Sequence, residues 1–536
     1  MATTPLSQRS RFIPAAPSWR RVTVLVSVLL LGWAALVPAG HTPLWWHYLI
    51  GVVVIVAFLG SWHGQHVSTT VRRWVPLSRY NRRQRARSAQ PRRRRTTADP
   101  APEAAPRSTT LQARIVIHLR PHPHGLTTPA DTADQMPWQF VTSWLDRYGV
   151  RADELTITSI TRTPPTSGLR TDVASLLTTR TPQHRDTWLT YTLRADQNVG
   201  ALTARQTTMG ATDRGASDDV DGPGVPQRAA LADTTARRLV AELRERGWLA
   251  TLVDDEEPLP QFVPPAATVR RETWTATEYS DGFRAVYAIE AGEVESVLKA
   301  LPALATKALW VSVTVASRGN QPTTVSACVG TLTGTQPGRN PLPGLAGFHG
   351  LHREVIPALT VTGLDHALPV AQVNPADLTS LRWPTSAPGI PIGFNRSRQP
   401  VYLGLASPEP VRITVTGTRE FHVGIVARLA LAGLPMAMFT SDPRQWAGLA
   451  NHGAPQQFSV TPTPLPPGAI VVSDGSSETP SSPITVTLRR PQSSKAPATT
   501  IVITQDGKHA NLFGITTPHG HQLLSTRLLE AAPRRR

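Results

Sequence analysis

The chain of 536 residues has little cysteine and little lysine. Its single cysteine, Cys328, excludes an intrachain disulfide and a zinc site built from several cysteines. Lysine occurs at 4 positions, so positive charge in this chain is almost entirely arginine. One cysteine among so many residues is also typical of a reducing compartment.

Acidic residues are absent from residues 1–98, which contain 15 arginines. The last three residues are also arginines, so residues 99–533 contain 37 basic and 37 acidic residues. The formal net charge of +18 therefore belongs to the two ends. This distribution argues against a folded nucleic-acid-binding domain, which needs its positive charge on the face that meets phosphate.

Two long hydrophobic runs follow each other near the N-terminus. Residues 22–39 contain no charged side chain, and residues 44–62 contain only His47 as an ionisable group. Each run is long enough as a helix to cross roughly 30 Å of hydrocarbon. Trp45, Trp46 and Tyr48 lie where interfacial aromatic residues are expected. The sequence predicts a two-helix transmembrane hairpin over residues 22–63.

Arginine predicts the orientation of this hairpin. The basic N-terminus, residues 1–21, precedes it, a run of arginines follows it, and the short turn between the two spans has none. The positive-inside rule places both flanks in the cytoplasm, so we expect a cell-membrane protein with both termini cytoplasmic. An alternative is that the first run is a cleaved signal peptide, which leaves the rest of the chain with the same orientation.

Residues 64–110 are rich in arginine and proline, and we interpret them as a linker. Its arginines either determine topology and are otherwise solvated, or contact anionic lipid headgroups or an acidic partner. Nucleic acid binding by this segment would be unspecific, because no aromatic residues are interleaved with the arginines to stack on bases.

The remaining chain is predicted to be a cytoplasmic mixed α/β body, of class α+β or α/β, in three units: residues 111–265, 266–380 and 381–533. Alternating apolar residues predict a strand over 111–119. A helix is predicted over 227–246, a hairpin around 318–320, a strand–helix–strand over 411–439 and a closing helix over 522–529. We find no internal repeat.

Two segments of the third unit invite a nucleotide-binding interpretation. Gly417 and Thr418 lie between a predicted strand and helix, where a helix N-terminus can hold an anion. The segment lacks both the lysine of a phosphate loop and the spacing of a dinucleotide-binding turn. Asp474 ends a predicted strand in a manner that suits a metal ligand, but no partner loop accompanies it.

Other candidate sites are weaker. His184-Arg185-Asp186 lacks the asparagine of a kinase catalytic loop, and the pair His349 and His352 lacks the glutamate of a zinc helix. The acidic residues 254–257 are typical of a solvated loop, and Cys328 of a small core residue. The sequence therefore predicts no catalytic, cofactor-binding or metal-binding residues, and a protein that is not an enzyme.

The hairpin, its arginine-rich exit and the neutral, proline-rich body together resemble the EccE family of the type VII (ESX) secretion system. Motifs in the third unit are similar to the family as well: Pro391-Ile392-Gly393-Phe394, Gln399-Pro400-Val401, Val415-Thr416-Gly417, Arg428 to Gly433, Phe439-Thr440 and Trp446. The resemblance implies a structural subunit that assembles with EccB-, EccC- and EccD-like membrane components, without a cofactor of its own.

Two alternatives remain open at this point. One is a membrane-tethered cytoplasmic enzyme of cell-envelope synthesis that uses a nucleotide sugar near Gly417. The other is a membrane-anchored binding or regulatory protein that acts through the arginine-rich segment. Within the hairpin, Gly51 and Gly60 would allow close contact with other helices, so we expect the spans to serve assembly as well as anchoring.

Overall fold

A computed structural model gives the fold. It describes residues 19–36, 44–59, 61–62, 65–89, 112–120, 125–128, 135–163, 184–209, 225–254, 256–317, 321–374, 377–381, 383–384, 389–405, 407, 409–452, 458–461, 464–466, 468–475, 480–491 and 499–526. Gly60, the hairpin turn 318–320, residues 96–110 and the end of the predicted closing helix lie outside this part of the chain.

The described residues form helices of very different lengths. In chain order they are α1 (Trp19–Leu36), α2 (Trp45–Leu59), α3 (Val67–Ala89), α4 (Trp138–Thr142), α5 (Val199–Met209), α6 (Val225–Glu245), α7 (Val294–Ala300), α8 (His352–Ala358), α9 (Arg419–Leu429) and α10 (Ala447–His452). Short 3₁₀ turns extend several of them.

Strands outnumber helices. Up to residue 333 they are β1 (Ser61–Trp62), β2 (Gln65–His66), β3 (Gln112–Arg120), β4 (Leu126–Thr127), β5 (Asp146–Arg147), β6 (Val150–Arg151), β7 (Glu154–Arg162), β8 (His184–Arg194), β9 (Leu249–Leu252), β10 (Val269–Glu272), β11 (Thr277–Tyr279), β12 (Gly282–Ile289), β13 (Ala308–Ala316) and β14 (Thr324–Thr333). Together with the helices they confirm a mixed α/β fold.

The later strands begin at residue 345. They are β15 (Leu345–Gly347), β16 (Leu359–Thr360), β17 (Gly363–Leu364), β18 (Ala371–Gln372), β19 (Ile390–Phe394), β20 (Pro400–Leu403), β21 (Val411–Thr416), β22 (Met436–Phe439), β23 (Phe458–Val460), β24 (Ile470–Ser473), β25 (Ile484–Arg489), β26 (Ile501–Gln505), β27 (Leu512–Thr517) and β28 (Gly520–Ser525).

The two N-terminal helices cover most of the predicted hairpin. Among the described residues, no helix combines the length and the apolar character needed to cross a membrane. As described, α2 has 15 residues, or about 23 Å at 1.5 Å per residue, and α1 begins with Trp19-Arg20-Arg21. The two spans at 22–39 and 44–62 are therefore not supported by the structure and stay a prediction.

Helix α3 lies inside the segment that the sequence analysis interprets as a linker. It has 23 residues, includes Pro76 and contains no acidic residue. Arginine favours helix formation nearly as well as leucine does, and contacts with the body of the protein can stabilise a helix that contains proline.

The first large sheet has eleven strands and is antiparallel throughout. Its main path runs β10-β11-β12-β14-β13-β7-β8-β3-β9, with β15 beside β12 and β18 beside β14. Strands from residues 111–265 and from residues 266–380, predicted as separate units, lie side by side in this sheet. The pairing of β7 with β13 over nine residue pairs joins them.

The same strand order occurs twice in this sheet. Numbered 1 to 4 along the chain, β3, β7, β8 and β9 lie side by side in the order 4-1-3-2 of a split β-α-β arrangement, and β12, β13, β14 and β15 lie in the same order. Helices α4 and α7 follow the first strand of each set. The structure thus contains a repeat of topology that the sequence analysis missed, because the two copies share no recognisable sequence period.

Both faces of the first sheet are covered. One face packs on the helices in a core that includes Trp144, Leu155, Tyr191 and Leu239, all fully buried. The other face is covered by segments that contribute Phe262 and Ile356. Cys328 lies in this second core at 1% exposure, which confirms that it is a small core residue.

The second large sheet also has eleven strands. Strands β23-β22-β24-β25-β21-β26 are parallel, and β27-β28-β19-β20-β4 continue the sheet in antiparallel pairing. Helix α9 follows β21 as predicted, and Gly433 ends its last turn in the left-handed region at φ 78°. Strand β4, which follows β3 of the first sheet, pairs with β20 and so links the two sheets.

The predicted helix over 522–529 is wrong for its described part. Residues Gly520–Ser525 form β28, which pairs with β27 in a hairpin. Leu524 is buried at 1% and Leu523 is 41% exposed, an alternation of period two that a strand satisfies and a helix does not.

The seam between β7 and β13 generates a first prediction. The buried hydroxyl of Thr158 donates to Ser312 Oγ at 3.0 Å. The change Ser312→Ala leaves the Thr158 hydroxyl without this acceptor, and we expect a loss of about 1–3 kcal/mol in the free energy of unfolding. Adding Thr158→Val should recover part of that loss, because the orphaned hydroxyl is then removed. Denaturant unfolding of the purified chain measures the free energy of unfolding of each variant. If the losses of the two single variants simply add in the double variant, the two hydroxyls do not interact as proposed.

Candidate docking site of the arginine-rich helix

An asparagine on α3 pairs with the outer strand of the first sheet. Asn81 Nδ2 donates to the Glu272 carbonyl at 2.6 Å, and the Glu272 amide donates to Asn81 Oδ1 at 3.0 Å. A carboxamide side chain presents the same donor and acceptor as a peptide group. Asn81 therefore satisfies β10 as a neighbouring strand would, and it closes part of an open sheet edge.

The side chain of Glu272 continues this contact. It is buried, its Oε1 accepts from the Arg353 amide at 3.2 Å, and its Oε2 lies 3.4 Å from Arg353 Nε. Burial raises the pKa of Glu272, while Arg353 opposes that rise. The guanidinium of Arg353 in turn lies over the ring of Tyr80, 4.4 Å from its centre, so Tyr80 and Asn81 meet the same pair of residues.

The first turns of α3 contact the loop before α8. Arg73 Nη1 donates to the His349 carbonyl at 3.3 Å. The next residue, Gly350, has φ 71°, and a Cβ there would lie 2.7 Å from Trp274 and 3.2 Å from Arg73 Cβ. Only glycine fits between α3 and Trp274 at this point.

Of the histidine pair expected to lie in a loop, His349 belongs to this loop, whereas His352 is the first residue of α8, so the expectation is wrong for His352. The rings of His349 and His352 are 6.0 Å apart, and His352 begins α8 with no exposed surface. The Val286 amide donates to His352 Nδ1 at 3.3 Å. Burial, helped by the neighbouring His349, lowers the pKa of His352 to about 3, so this imidazole is neutral at physiological pH.

A basic cleft of about 330 Å³ opens beside Asn81. It is lined by Asn81, Arg85, Arg270, Arg271 and Glu278. Glu278 serves two of these arginines: its Oε2 lies 2.5 Å from Arg271 Nε, and its Oε1 lies 3.8 Å from Arg270 Nη1. Three arginines against one glutamate leave the cleft positively charged.

The face of α3 that points away from the sheet is basic. Arg72, Arg79, Arg82 and Arg83 are exposed there. Val71 is 52% exposed and Trp74 is 57% exposed near the start of the same helix. Helix α3 therefore has a docked face and a free face with different chemistry.

In the third unit, the protein's own side chains contact both positions that the nucleotide-binding interpretation uses, Gly417 and Asp474. Gly417 follows β21, but a Cβ there would lie 2.6 Å from Phe421 and 2.8 Å from Gln505 Oε1. That Gln505 oxygen also accepts from the Thr418 amide at 2.7 Å. Asp474 follows β24 and accepts from the Thr440 hydroxyl at 2.5 Å. Side chains of the protein thus occupy the positions at which a phosphate would bind.

The remaining candidates do not form a site either. Arg185 is half-buried: its Nε donates to the Thr161 hydroxyl at 3.1 Å and its Nη1 to the Pro384 carbonyl at 3.0 Å, and desolvation lowers its pKa to about 10. Burial likewise raises the pKa of Cys328 to about 12, which makes it a poor nucleophile. No group of three or more metal-ligating side chains occurs within the described residues.

Sequence reasoning missed the docking residues Tyr80, Asn81, Glu272 and Arg353. One signal was present: Arg73, Leu77, Tyr80 and Gln84 recur at helical spacing inside the arginine run. Their partners on β10 and α8 are about 190 or more residues away and carry no local pattern, so only the fold brings them together.

Comparison with known proteins gives three curated relatives. Two are named ESX-3 secretion system protein EccE3, from Mycobacterium tuberculosis strains CDC 1551 and H37Rv, and each is 30% identical over 393 residues, covering 70% of this chain and 95% of the relative. A protein of the same name from Mycolicibacterium smegmatis is 24% identical over 326 residues, covering 59% of this chain and 79% of the relative. No protein-family model matches the chain.

These relatives define the class of protein, a component of a bacterial ESX secretion system. Since the similarity at 30% identity extends over nearly the whole length of the M. tuberculosis proteins, the chain belongs to the EccE family. The resemblance noted from the sequence is confirmed.

The Asn81 contact generates a second prediction. The change Asn81→Ala removes both hydrogen bonds to Glu272, so α3 should leave the sheet edge more often. We expect tryptic cleavage at the arginines of α3 to become several times faster under native conditions, because proteases cut transiently opened segments. The matched control is Ser78→Ala, about one helical turn away, which should cleave at the wild-type rate. Equal rates for both variants would rule out the docking role of Asn81.

His352 generates a third prediction. The unfolded chain binds a proton on this residue near pH 6.5, whereas the folded protein does so only near pH 3. Above pH 6.5 the group has no effect on stability, and acidification from 6.5 to 5 should cost about 2 kcal/mol through this residue.

His352→Phe should therefore flatten the pH dependence of the unfolding midpoint between pH 7 and 5. His118, whose pKa burial lowers to about 4, supplies a residual slope in the same direction. The exposed His366, changed to Gln, is the control and should keep the wild-type profile. If His352→Phe shows the full wild-type slope, His352 is not the group that titrates.

Proposed function

We propose that this chain is a non-enzymatic structural subunit of a type VII (ESX) secretion complex in the cell membrane. The observation that carries the proposal is the 30% identity to EccE3 over 95% of that protein's length. The structure supports the proposal as well. The contacts between α3 and the first sheet hold one element of the chain on another, as expected of a structural subunit.

In this proposal residues 22–39 and 44–62 form the membrane anchor, with the termini and the body in the cytoplasm. The described parts of α1 and α2 expose large apolar side chains such as Leu30, Leu31 and Val52. Exposure of such an apolar surface to water is unfavourable, whereas lipid or a partner helix would bury it. Arginines on both flanks, with none in the turn at 40–43, support the cytoplasmic orientation of both flanks.

Helix α3 then connects the anchor to the body. It begins eight residues after the end of α2, and Arg73, Tyr80 and Asn81 hold it on the first sheet. A helix held on the body in this way suits a subunit that fixes the distance between a membrane and other proteins. The unit limits at residues 265 and 380 stay part of this proposal.

The partners we propose are EccB-, EccC- and EccD-like membrane components, and we propose that they contact the apolar helices α1 and α2. A groove of about 380 Å³ between α1 and α2 is lined by Leu29, Trp33, Tyr48, Gly51 and Ile55, among others. A Cβ at Gly51 would meet nothing within 4 Å. The groove therefore has room for a side chain from another helix.

No observation favours the nucleotide-sugar enzyme. Phe421 and Gln505 fill the space at Gly417, and the relatives are named as secretion components. A thermal shift of several degrees with a sugar nucleotide, lost on changing Asp474, would revive that alternative.

Gly51 generates a fourth prediction. The full chain, tagged and purified in mild detergent, should recover an EccC-like ATPase and an EccD-like membrane protein. Gly51→Leu should reduce that recovery severalfold, because the added side chain fills the groove without a clash inside this chain. Val53→Leu is the matched control: Val53 is 58% exposed on another face of α2. A wild-type chain that purifies alone would refute the proposed function, and full recovery with Gly51→Leu would refute the groove's role in it.

A further inference from the structure

We propose that the free face of α3 is a binding surface for anionic phospholipid headgroups, which holds the first sheet against the membrane surface. This inference rests on the proposed function in so far as α1 and α2 anchor the chain in a membrane. It goes further by assigning a ligand class to four arginines, Arg72, Arg79, Arg82 and Arg83, called below the arginine face.

The arginine face is defined by helix geometry. At about 100° per residue, Arg72, Arg79, Arg82 and Arg83 fall within roughly 100° of the circumference of α3. The residues that dock on the body, Arg73, Tyr80 and Asn81, lie on the opposite side, and Gln84, whose Nε2 donates to the Tyr80 hydroxyl, lies with them. Docking therefore fixes the arginine face in one direction, away from the sheet.

The charge of this face is not neutralised within the described chain. None of the four arginines forms an ion pair there, although several arginines elsewhere on the surface do, such as Arg151 with Asp146 and Arg237 with Asp233. Helix α3 has no acidic residue of its own. A fixed row of positive charges without nearby negative charges attracts an anionic surface.

The position of α3 in the chain selects the membrane as that surface. Leu59 ends α2, the two-residue strands β1 and β2 form a tight hairpin, and Val67 begins α3. The exposed Val71 lies in the second turn of α3 beside Arg82, where an apolar side chain can enter the interface between headgroups and acyl chains. The exposed Trp74 lies on another side of the helix, about 130° from the centre of the arginine face. Arg72 lies about 8 Å along α3 from Val67, and the other three arginines come within a Debye length of the headgroups where α3 runs along the membrane surface, an orientation that is part of this proposal.

Nucleic acid is a poorer partner for the same face. Trp74 is the one aromatic residue exposed on the described part of α3, and a single ring gives no stacking platform for successive bases. The arginines also lie on one straight face, which matches a plane of phosphates better than a groove.

The experiment uses the full chain in nanodiscs of neutral phosphatidylcholine or of phosphatidylcholine with 30% phosphatidylglycerol (about that fraction gives a moderate surface charge). The readout is hydrogen–deuterium exchange of peptides from residues 67–89. We expect exchange to be at least about fivefold slower in the anionic discs, which corresponds to the roughly 1 kcal/mol that one near-surface arginine contributes. At 0.5 M salt the Debye length is roughly 4 Å, so most of the difference between the discs should disappear.

Two variants with four substitutions each test whether the arginine face causes the difference between the discs. Changing Arg72, Arg79, Arg82 and Arg83 to Gln should abolish the difference between the two discs. The control changes four exposed arginines of the second sheet, Arg396, Arg412, Arg444 and Arg490, to Gln; it loses the same net charge and should keep the difference. Equal exchange of the wild-type chain in both discs, or an undiminished difference in the first variant, overturns the proposal.

Further arms separate this proposal from its neighbours. Slower exchange in neutral discs on adding a short RNA, together with equal exchange in the two kinds of disc without RNA, would assign the face to nucleic acid and overturn the lipid assignment. Recovery of secretion components by the wild-type chain tests the proposed function separately. A wild-type chain that recovers them but shows no lipid dependence rejects the lipid surface alone, whereas one that shows lipid dependence but recovers no partner rejects the proposed function alone.

Discussion

The docking of α3 on the edge of the first sheet is the interaction on which the rest of the structure depends. Two hydrogen bonds between Asn81 and the Glu272 backbone replace the missing neighbour of β10. An open edge of this kind promotes aggregation, so closing it stabilises the monomer against wrong pairing. The same contact determines where the N-terminal helices leave the body and in which direction the arginine face points.

The body that receives α3 is built for rigidity. Two split β-α-β sets share one sheet through the long pairing of β7 with β13, and both faces of that sheet are covered. The second sheet is linked to it through β4, and its glycine turn at Gly417 is filled by the protein's own side chains. Extended strand pairing and two covered sheet faces thus give α3 a continuous body on which to dock.

Local patterns in the sequence predicted much of this fold, and contacts between distant residues explain the rest. The alternation in 112–120 and the helical stripe ended by Gly247 determine β3 and α6, so these were predictable. The repeat of topology, the closing hairpin of β28 and the helix in the arginine run were not, because each depends on partners far away. Asn81 could be recognised as polar and helical, but its pairing with Glu272 could not be foreseen.

The central claim is that a chain of this family anchors in the membrane by its first two helices and is tied to its body through α3. A cryo-EM reconstruction of the complex purified through a tag on this chain tests it most directly. We expect α1 and α2 inside the detergent belt, with α3 between the belt and β10 and its arginine face toward the belt. A reconstruction with both helices outside the belt, or with α3 detached from β10, would contradict the account.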